Sequence, residues 1–259
     1  MKTFLTLTIV QTISLFSYGF ILPLDLILEK NVATSGNQIF SVEQDVFLKE
    51  GMREVAIHES WQVEGDKNLR LTATGLGELK DVVKIVAIYN GKTRTSMIGK
   101  NRVTHPAPID FFEKFLSVRS VHSFKNYLNE LSIDPSVRFS RADGSITYAI
   151  GQASPVGSLK PQMWFQQDNF QVRKIRFPSE AEATFSDFVE VSPKLIYPKI
   201  KKIEWSGKTA IIKVKSIVDK TKIPISNFYP QNVETPSELL VSNKNTMGAL
   251  IEDFYTRFR

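Results

Sequence analysis

The chain has 259 residues, 42% of them hydrophobic and 23% charged. That is enough apolar material for a proper core and too little charge for a disordered polyelectrolyte. The net charge of +6 is spread through runs such as Val172–Arg176 and Lys199–Trp205. No nucleic-acid-binding motif accompanies it, so nucleic acid is not an expected partner, and the surplus suits solubility or weak attraction to an anionic membrane surface. The absence of cysteine excludes disulfides, thiol catalysis, thiolate metal sites and a lipid-modified N-terminal cysteine.

The first twenty residues read as an export signal. Lys2 supplies a short positive region, an apolar run extends from Phe4 to Phe16, and Ser17-Tyr18-Gly19 offers small residues for cleavage after Gly19. The competing reading is an uncleaved inner-membrane anchor, because the uncharged run continues through Leu24. Either way the body of the protein is expected in the periplasm. A short helix, Leu24 to Ala33, follows Pro23, a residue suited to the first helical position.

Strand signals come next. Residues 39–50 and 53–63 flank Gly51 as a hairpin, and Asn68–Gly75 alternates Leu69, Leu71 and Ala73. Asn90-Gly91 separates two further runs and is the strongest short hairpin signal in the chain, because both residues accept positive φ. The pattern turns helical at Pro106. Asp110 is placed to cap residues 111–116, and Ser120 to begin a helix with Val121, Phe124, Leu128 and Leu131 on one face. Strands then resume, with bends at Asp143-Gly144, Asp168-Asn169 and Ser206-Gly207. Within Pro161–Phe177, Met163, Phe165, Phe170 and Val172 share one sheet face and Trp164 takes the other. Ile175 and Phe177 fall out of phase, so a β-bulge is expected near Lys174. Met247, Leu250, Ile251, Phe254, Tyr255 and Phe258 predict an amphipathic helix over Asn243–Arg259, as a second lid or a docking element for a membrane partner.

About twelve strands joined by tight turns imply one large antiparallel meander. So wide a sheet must curl, and its concave face must be filled or covered. The expected fold class is therefore mainly β with helices: a curved antiparallel sheet under a helical lid, with a C-terminal helix. The predicted organisation is a signal peptide over 1–19, a half-barrel domain over 20–230 with a helical insertion at about 107–133, and a helical extension over 231–259.

Several features resemble the outer-membrane lipoprotein-sorting (LolA-like) family. They are Ile150-Gly151 ending a strand, a hairpin carrying Met163-Trp164, Asp168, Phe170 and Arg173, the element Phe185-Ser186-Asp187-Phe188, and a strand opening at Tyr197-Pro198. The order of elements agrees over residues 24–230. The resemblance implies an unclosed β-barrel with helices over its mouth. It also implies a carrier of lipid or lipoprotein acyl chains, with membrane-bound donor or acceptor proteins as partners, no cofactor and no catalysis. Three departures stand out: the insertion Asp110–Leu131 and the tail beyond Pro230 do not map onto the simplest carriers, and the family's cavity arginine is not matched to any Arg here.

The candidate ligand cavity consists of Val83, Ile85, Ala87, Met163, Phe165, Phe170, Val172, Ile212 and Val214. These same residues would equally form a filled core, leaving a ligand-free envelope scaffold as the alternative function. Other chemistry lacks support. His58, His105 and His122 sit in separate elements, and His58 and Glu59 point to opposite faces of their strand. Gly75–Leu79 is too short for a nucleotide fingerprint, and Asp187 has no histidine nearby for a triad. An integral outer-membrane barrel is disfavoured by the charges crowded in residues 172–176 and 199–205.

Overall fold

The computed structural model describes residues 21–36, 39–98, 101–116, 118–156, 158–219, 222–233, 238–239 and 246–259. The export-signal reading of residues 1–19 lies outside them. Helix α1 (Leu24–Val32) starts directly after Pro23, which stands one position earlier than expected, as the cap. Two meanders follow. The first comprises β1 (Ile39–Glu50), β2 (Arg53–Glu64), β3 (Asn68–Gly75), β4 (Val83–Asn90), β5 (Thr93–Ile98) and β6 (Asn101–Pro106). A helical connection, α2 (Glu113–Leu116) and α3 (Val121–Glu130), leads to the second. That one comprises β7 (Val137–Ala142), β8 (Ser145–Ile150), β9 (Gln162–Gln166), β10 (Val172–Arg176), β11 (Glu182–Ser192), β12 (Leu195–Trp205) and β13 (Lys208–Asp219). A two-residue strand β14 (Glu238–Leu239) pairs with β4, and α4 (Thr246–Phe258) ends the described chain.

The meanders join where β1 pairs antiparallel with β13, giving the order β6-β5-β4-β3-β2-β1-β13-β12-β11-β10-β9-β8-β7. The edges, β6 and β7, do not pair with each other, so the sheet is an unclosed antiparallel barrel. These edge strands are neighbours in sequence, and the helical insertion is the connection that runs from one to the other.

The turns follow backbone chemistry. Asp143 and Gly144 both have positive φ, as do Ser206 and Gly207, the pattern of two-residue type I′ hairpins. Asn90 departs from expectation. It pairs with Thr93 inside the ladder, so the turn is Gly91-Lys92 and positive φ is needed at Gly91 alone. β6, which adds a strand before Pro106, also escaped the hydrophobic pattern, since residues 101–106 hold one aliphatic side chain. The bulge expected near Lys174 is present as a register shift between Val172 and Lys174. It allows Val172 and Ile175 to share the core face, while Trp164 packs with Ala142 and Ala149 on the other. Asp187 acts similarly: its left-handed φ of 54° resets the phase of β11, so Phe185 and Phe188 both meet the core.

The helices cover the concave side. Ser120 caps α3 by accepting from the Ser123 amide at 3.0 Å, and Phe124 packs on Phe165 with ring centroids 5.7 Å apart. Asp110 caps nothing: α2 begins at Glu113, and the Asp110 carboxylate instead accepts from the Ser179 hydroxyl. α1 is tied to the β9–β10 turn by Asn31, whose amide donates to the Phe170 carbonyl at 2.8 Å. No described helix is long and apolar enough to cross a membrane.

Gly151 ends β8 at φ +116°, and a Cβ there would stand 2.8 Å from the Pro161 carbonyl oxygen. Gly151→Ala is expected to cost about 1–3 kcal/mol through combined strain and contact. The readout is the urea midpoint; an unchanged midpoint would show that the loop before β9 relaxes freely.

Candidate functional site: a charged cluster inside the sheet

Alternation in β1, β2 and β12 decides what faces inward. On β2 the inward residues are Val55, Ile57, Glu59, Trp61 and Val63, so a carboxylate occupies a core position. Gln44 on β1 and Lys201 on β12 stand likewise, between Val42 and Val46 and between Tyr197 and Ile203. Charged groups in such positions must find partners, because an unpaired buried charge is prohibitive.

They do so through α2 and the end of α4. Glu59 accepts from Gln44 Nε2 at 2.7 Å, Trp61 Nε1 at 3.1 Å, Tyr255 Oη at 2.9 Å, and Arg259 Nε and Nη2 at 2.9 and 3.1 Å. Lys201 Nζ donates to both oxygens of Glu113, to Gln44 Oε1 and to Tyr197 Oη, each at 2.9 Å. Gln44 joins the two halves, donating to Glu113 Oε1 at 3.2 Å. The Arg259 guanidinium also lies 3.6 Å from Glu113 and sits over the rings of Phe112 and Phe254, at 4.6 and 4.8 Å. Glu59, Lys201 and Arg259 are all 0% exposed. Two carboxylates therefore face two cations, and the side-chain charges within the cluster balance.

The electrostatics reflect this balance. Burial works to raise the Glu59 pKa, but the charge and hydrogen bonds of Arg259, with those of Gln44 and Trp61, outweigh it and hold the carboxyl below its ordinary value. Arg259 is lifted above the usual guanidinium value, because Glu59 and Glu113 overcome its desolvation. Lys201 is lowered by burial, with Glu113 opposing. Tyr89, buried nearby, is pushed up to about 12 by desolvation.

Helix α4 fills the groove around this cluster. Leu250, Ile251, Phe254, Tyr255 and Phe258 are buried in the main core. Trp205 meets Phe254 and Phe258 at 5.9 and 5.1 Å. At the outer side of the helix, Asp253 accepts from Trp205 Nε1 and Lys208 Nζ, each at 2.8 Å.

The structure gathers all nine sequence-predicted residues into this one core. Val83, Ile85, Ala87, Met163, Phe165, Val172, Ile212 and Val214 are buried, and Phe170, in the β9–β10 turn, packs against them half-buried. Val172 borders a pocket of about 20 Å³, and a void of about 10 Å³ lies among Phe40, Trp61, Glu113 and Tyr197. Spaces of that size hold about one water molecule. A larger cleft of about 300 Å³ opens at the rim, between Pro106–Phe111 and α3, beside Lys92, Lys114 and Glu130. Its inner wall is Phe111, which stacks on Tyr89 at 4.3 Å. The charged cluster itself went unnoticed in the sequence, although Glu59, Gln44 and Lys201 each break an apolar alternation at the inward phase. Among the described residues, no group of three or more acidic or histidine side chains is placed to hold a metal ion.

Arg259→Ala leaves Glu59 buried without its cation and is expected to cost about 3–5 kcal/mol in chemical unfolding. Because the folded Glu59 pKa is depressed, its stabilisation is complete above the ordinary value of 4.5 and is lost as pH falls below it. Glu59→Gln should therefore flatten the acid limb of the stability–pH curve; an acid limb identical to wild type would show that Glu59 does not carry it.

No protein-family model matches the sequence, and no curated protein matches it significantly. Solved structures do match. A LolA superfamily protein from Nitrosomonas europaea is similar at a TM-score of 0.58 and 14% identity, over 80% of this chain and 98% of that one. A putative outer membrane lipoprotein-sorting protein domain from Vibrio parahaemolyticus gives 0.57 and 10%, over 82% and 98%. A DUF1329 family protein from Desulfovibrio piger gives 0.56 and 12%, over 82% and 97%. Identity this low speaks for the fold alone, and the fold is the LolA-like one: an unclosed antiparallel barrel with helices on its concave side.

Proposed function

We propose that this protein is a periplasmic carrier that shields a lipid or lipoprotein acyl chain against the concave face of its sheet, in outer-membrane lipoprotein or lipid trafficking. The observation that carries the reading is an inner face that is apolar outside one charged cluster, on a sheet whose edges do not pair with each other. A closed barrel of this kind would seal its contents; an unclosed one can admit and release a chain. The solved structures of similar fold include one described as an outer membrane lipoprotein-sorting protein domain, which supports the same assignment.

The energetics suit the task. Each methylene moved out of water is worth about 0.8 kcal/mol, so an acyl chain gains several kcal/mol from even partial cover. Shielding makes and breaks no bond, and calls for neither cofactor nor catalytic residue. Membrane-bound donor or acceptor proteins would hand the chain over. In the conformation described, the protein's own side chains occupy the inner face, so loading requires them to make room.

Native mass spectrometry after mild extraction should show co-purified lipid. Ile85→Glu and Phe165→Glu, each placing a carboxylate on the inner face, should be exported yet retain none. Lipid-free wild-type protein would favour a ligand-free envelope scaffold. Undiminished lipid in both variants would remove these residues from the cavity.

A further inference from the structure

We propose that the groove filled by α4 is a ligand site selective for an apolar chain with a cationic, N–H-donating head, and that α4 is the occupant such a ligand displaces. The inference rests on the carrier reading and adds the head-group chemistry.

What α4 presents to the groove defines what the groove accepts. The helix is an apolar rod, with Phe254 and Phe258 against Trp205, ending in a guanidinium held over Trp61, Phe112 and Phe254 and paired to Glu59. Besides this apolar packing, its other polar fastenings are Asp253 to Trp205 and Lys208, and the Tyr255 carbonyl accepting from Arg94. The most densely hydrogen-bonded part of the contact is the cation seat.

Charge accounting gives the selectivity. With α4 seated, Glu59 and Glu113 face Arg259 and Lys201. Of the five hydrogen bonds to Glu59, three come from Tyr255 and Arg259, and two from Gln44 and Trp61 on the sheet. Lys201 is committed to Glu113, Gln44 and Tyr197. Once α4 leaves, Glu59 keeps two neutral donors and no cation, and the side chains left in the cluster hold one excess negative charge. A neutral chain leaves that charge unpaired, and an anionic head adds a second. An ammonium head replaces Arg259 in kind, over the same aromatic rings. The tyrosines that face the cluster, Tyr89, Tyr197 and Tyr255, all have raised pKa values and stay neutral near pH 7.

The cysteine-free chain makes the test direct. Spin labels on Ala249→Cys, exposed on α4, and on Met52→Cys, fully exposed at the β1–β2 turn, report the position of the helix in the full-length protein. Three probes share a ten-carbon chain: decylammonium, decanoate and decyl maltoside, each below its micelle concentration at pH 7. Decylammonium is expected to bind at least tenfold tighter than the others and to lengthen the label distance. Arg259→Ala should tighten decylammonium binding at least tenfold, and Glu59→Gln should bring the three probes within threefold of one another. If decanoate or decyl maltoside binds wild type as well as decylammonium does, the cation seat is refuted and the carrier reading stands. If no probe binds or moves α4 in either wild type or Arg259→Ala, both fall. Should either variant fail to fold, the wild-type comparison of the three probes decides alone.

Discussion

The ion pair between Glu59 and Arg259 is the constraint around which the interior is arranged. A carboxylate at an inward position of a central strand would be intolerable alone, so the fold must bring a cation to it from elsewhere. That cation arrives from 200 residues away in sequence, and it carries α4 with it. Glu113 then faces Lys201, Gln44 bridges the halves, and Phe112 and Trp61 stack against the guanidinium. Each partner raises the cost of leaving another unpaired, so the cluster behaves as one unit.

The sheet sets the second condition. Thirteen strands in one path cannot lie flat, because strand twist accumulates, and the curled sheet creates a concave apolar face larger than its own side chains can fill. Three elements meet that demand. α1 and α3 pack over the β8–β10 side, tied by the ion pair of Asp25 and Lys125 at 2.6 Å and by Phe124 on Phe165. α4 fills the side bounded by β2 and the β12–β13 turn. The two coverings differ, since the first is held by apolar packing and surface charge and the second adds a desolvated charge cluster to its apolar packing. A ligand that supplies chain without charge can replace apolar packing, but it cannot replace α4 without cost.

Local chemistry carried a good part of this architecture into the sequence. The bends at Asp143-Gly144 and Ser206-Gly207, the cap at Ser120, the bulge near Lys174 and the amphipathic pattern of residues 247–258 each depend on interactions within a few residues. Where a distant partner decides, the same signals mislead. Asn90 prefers a turn but is held in the ladder by Thr93, and Asp110 looks like a cap but is claimed by Ser179. The cluster shows both sides. Glu59, Gln44 and Lys201 were legible as polar interruptions of inward apolar phases. Which groups answer them was not, because periodicity places a side chain on a face without saying what lies opposite.

By itself the sequence determined an antiparallel, curling sheet with helices interposed and appended, since alternation, turn residues and capping act over short range. Only the tertiary structure decided that β1 joins β13, that the edges stay apart, and that the last helix lies inside the curl rather than beside it. Those choices rest on long-range pairing and on neutralising charge in a desolvated interior, and neither leaves a pattern in any short stretch of chain.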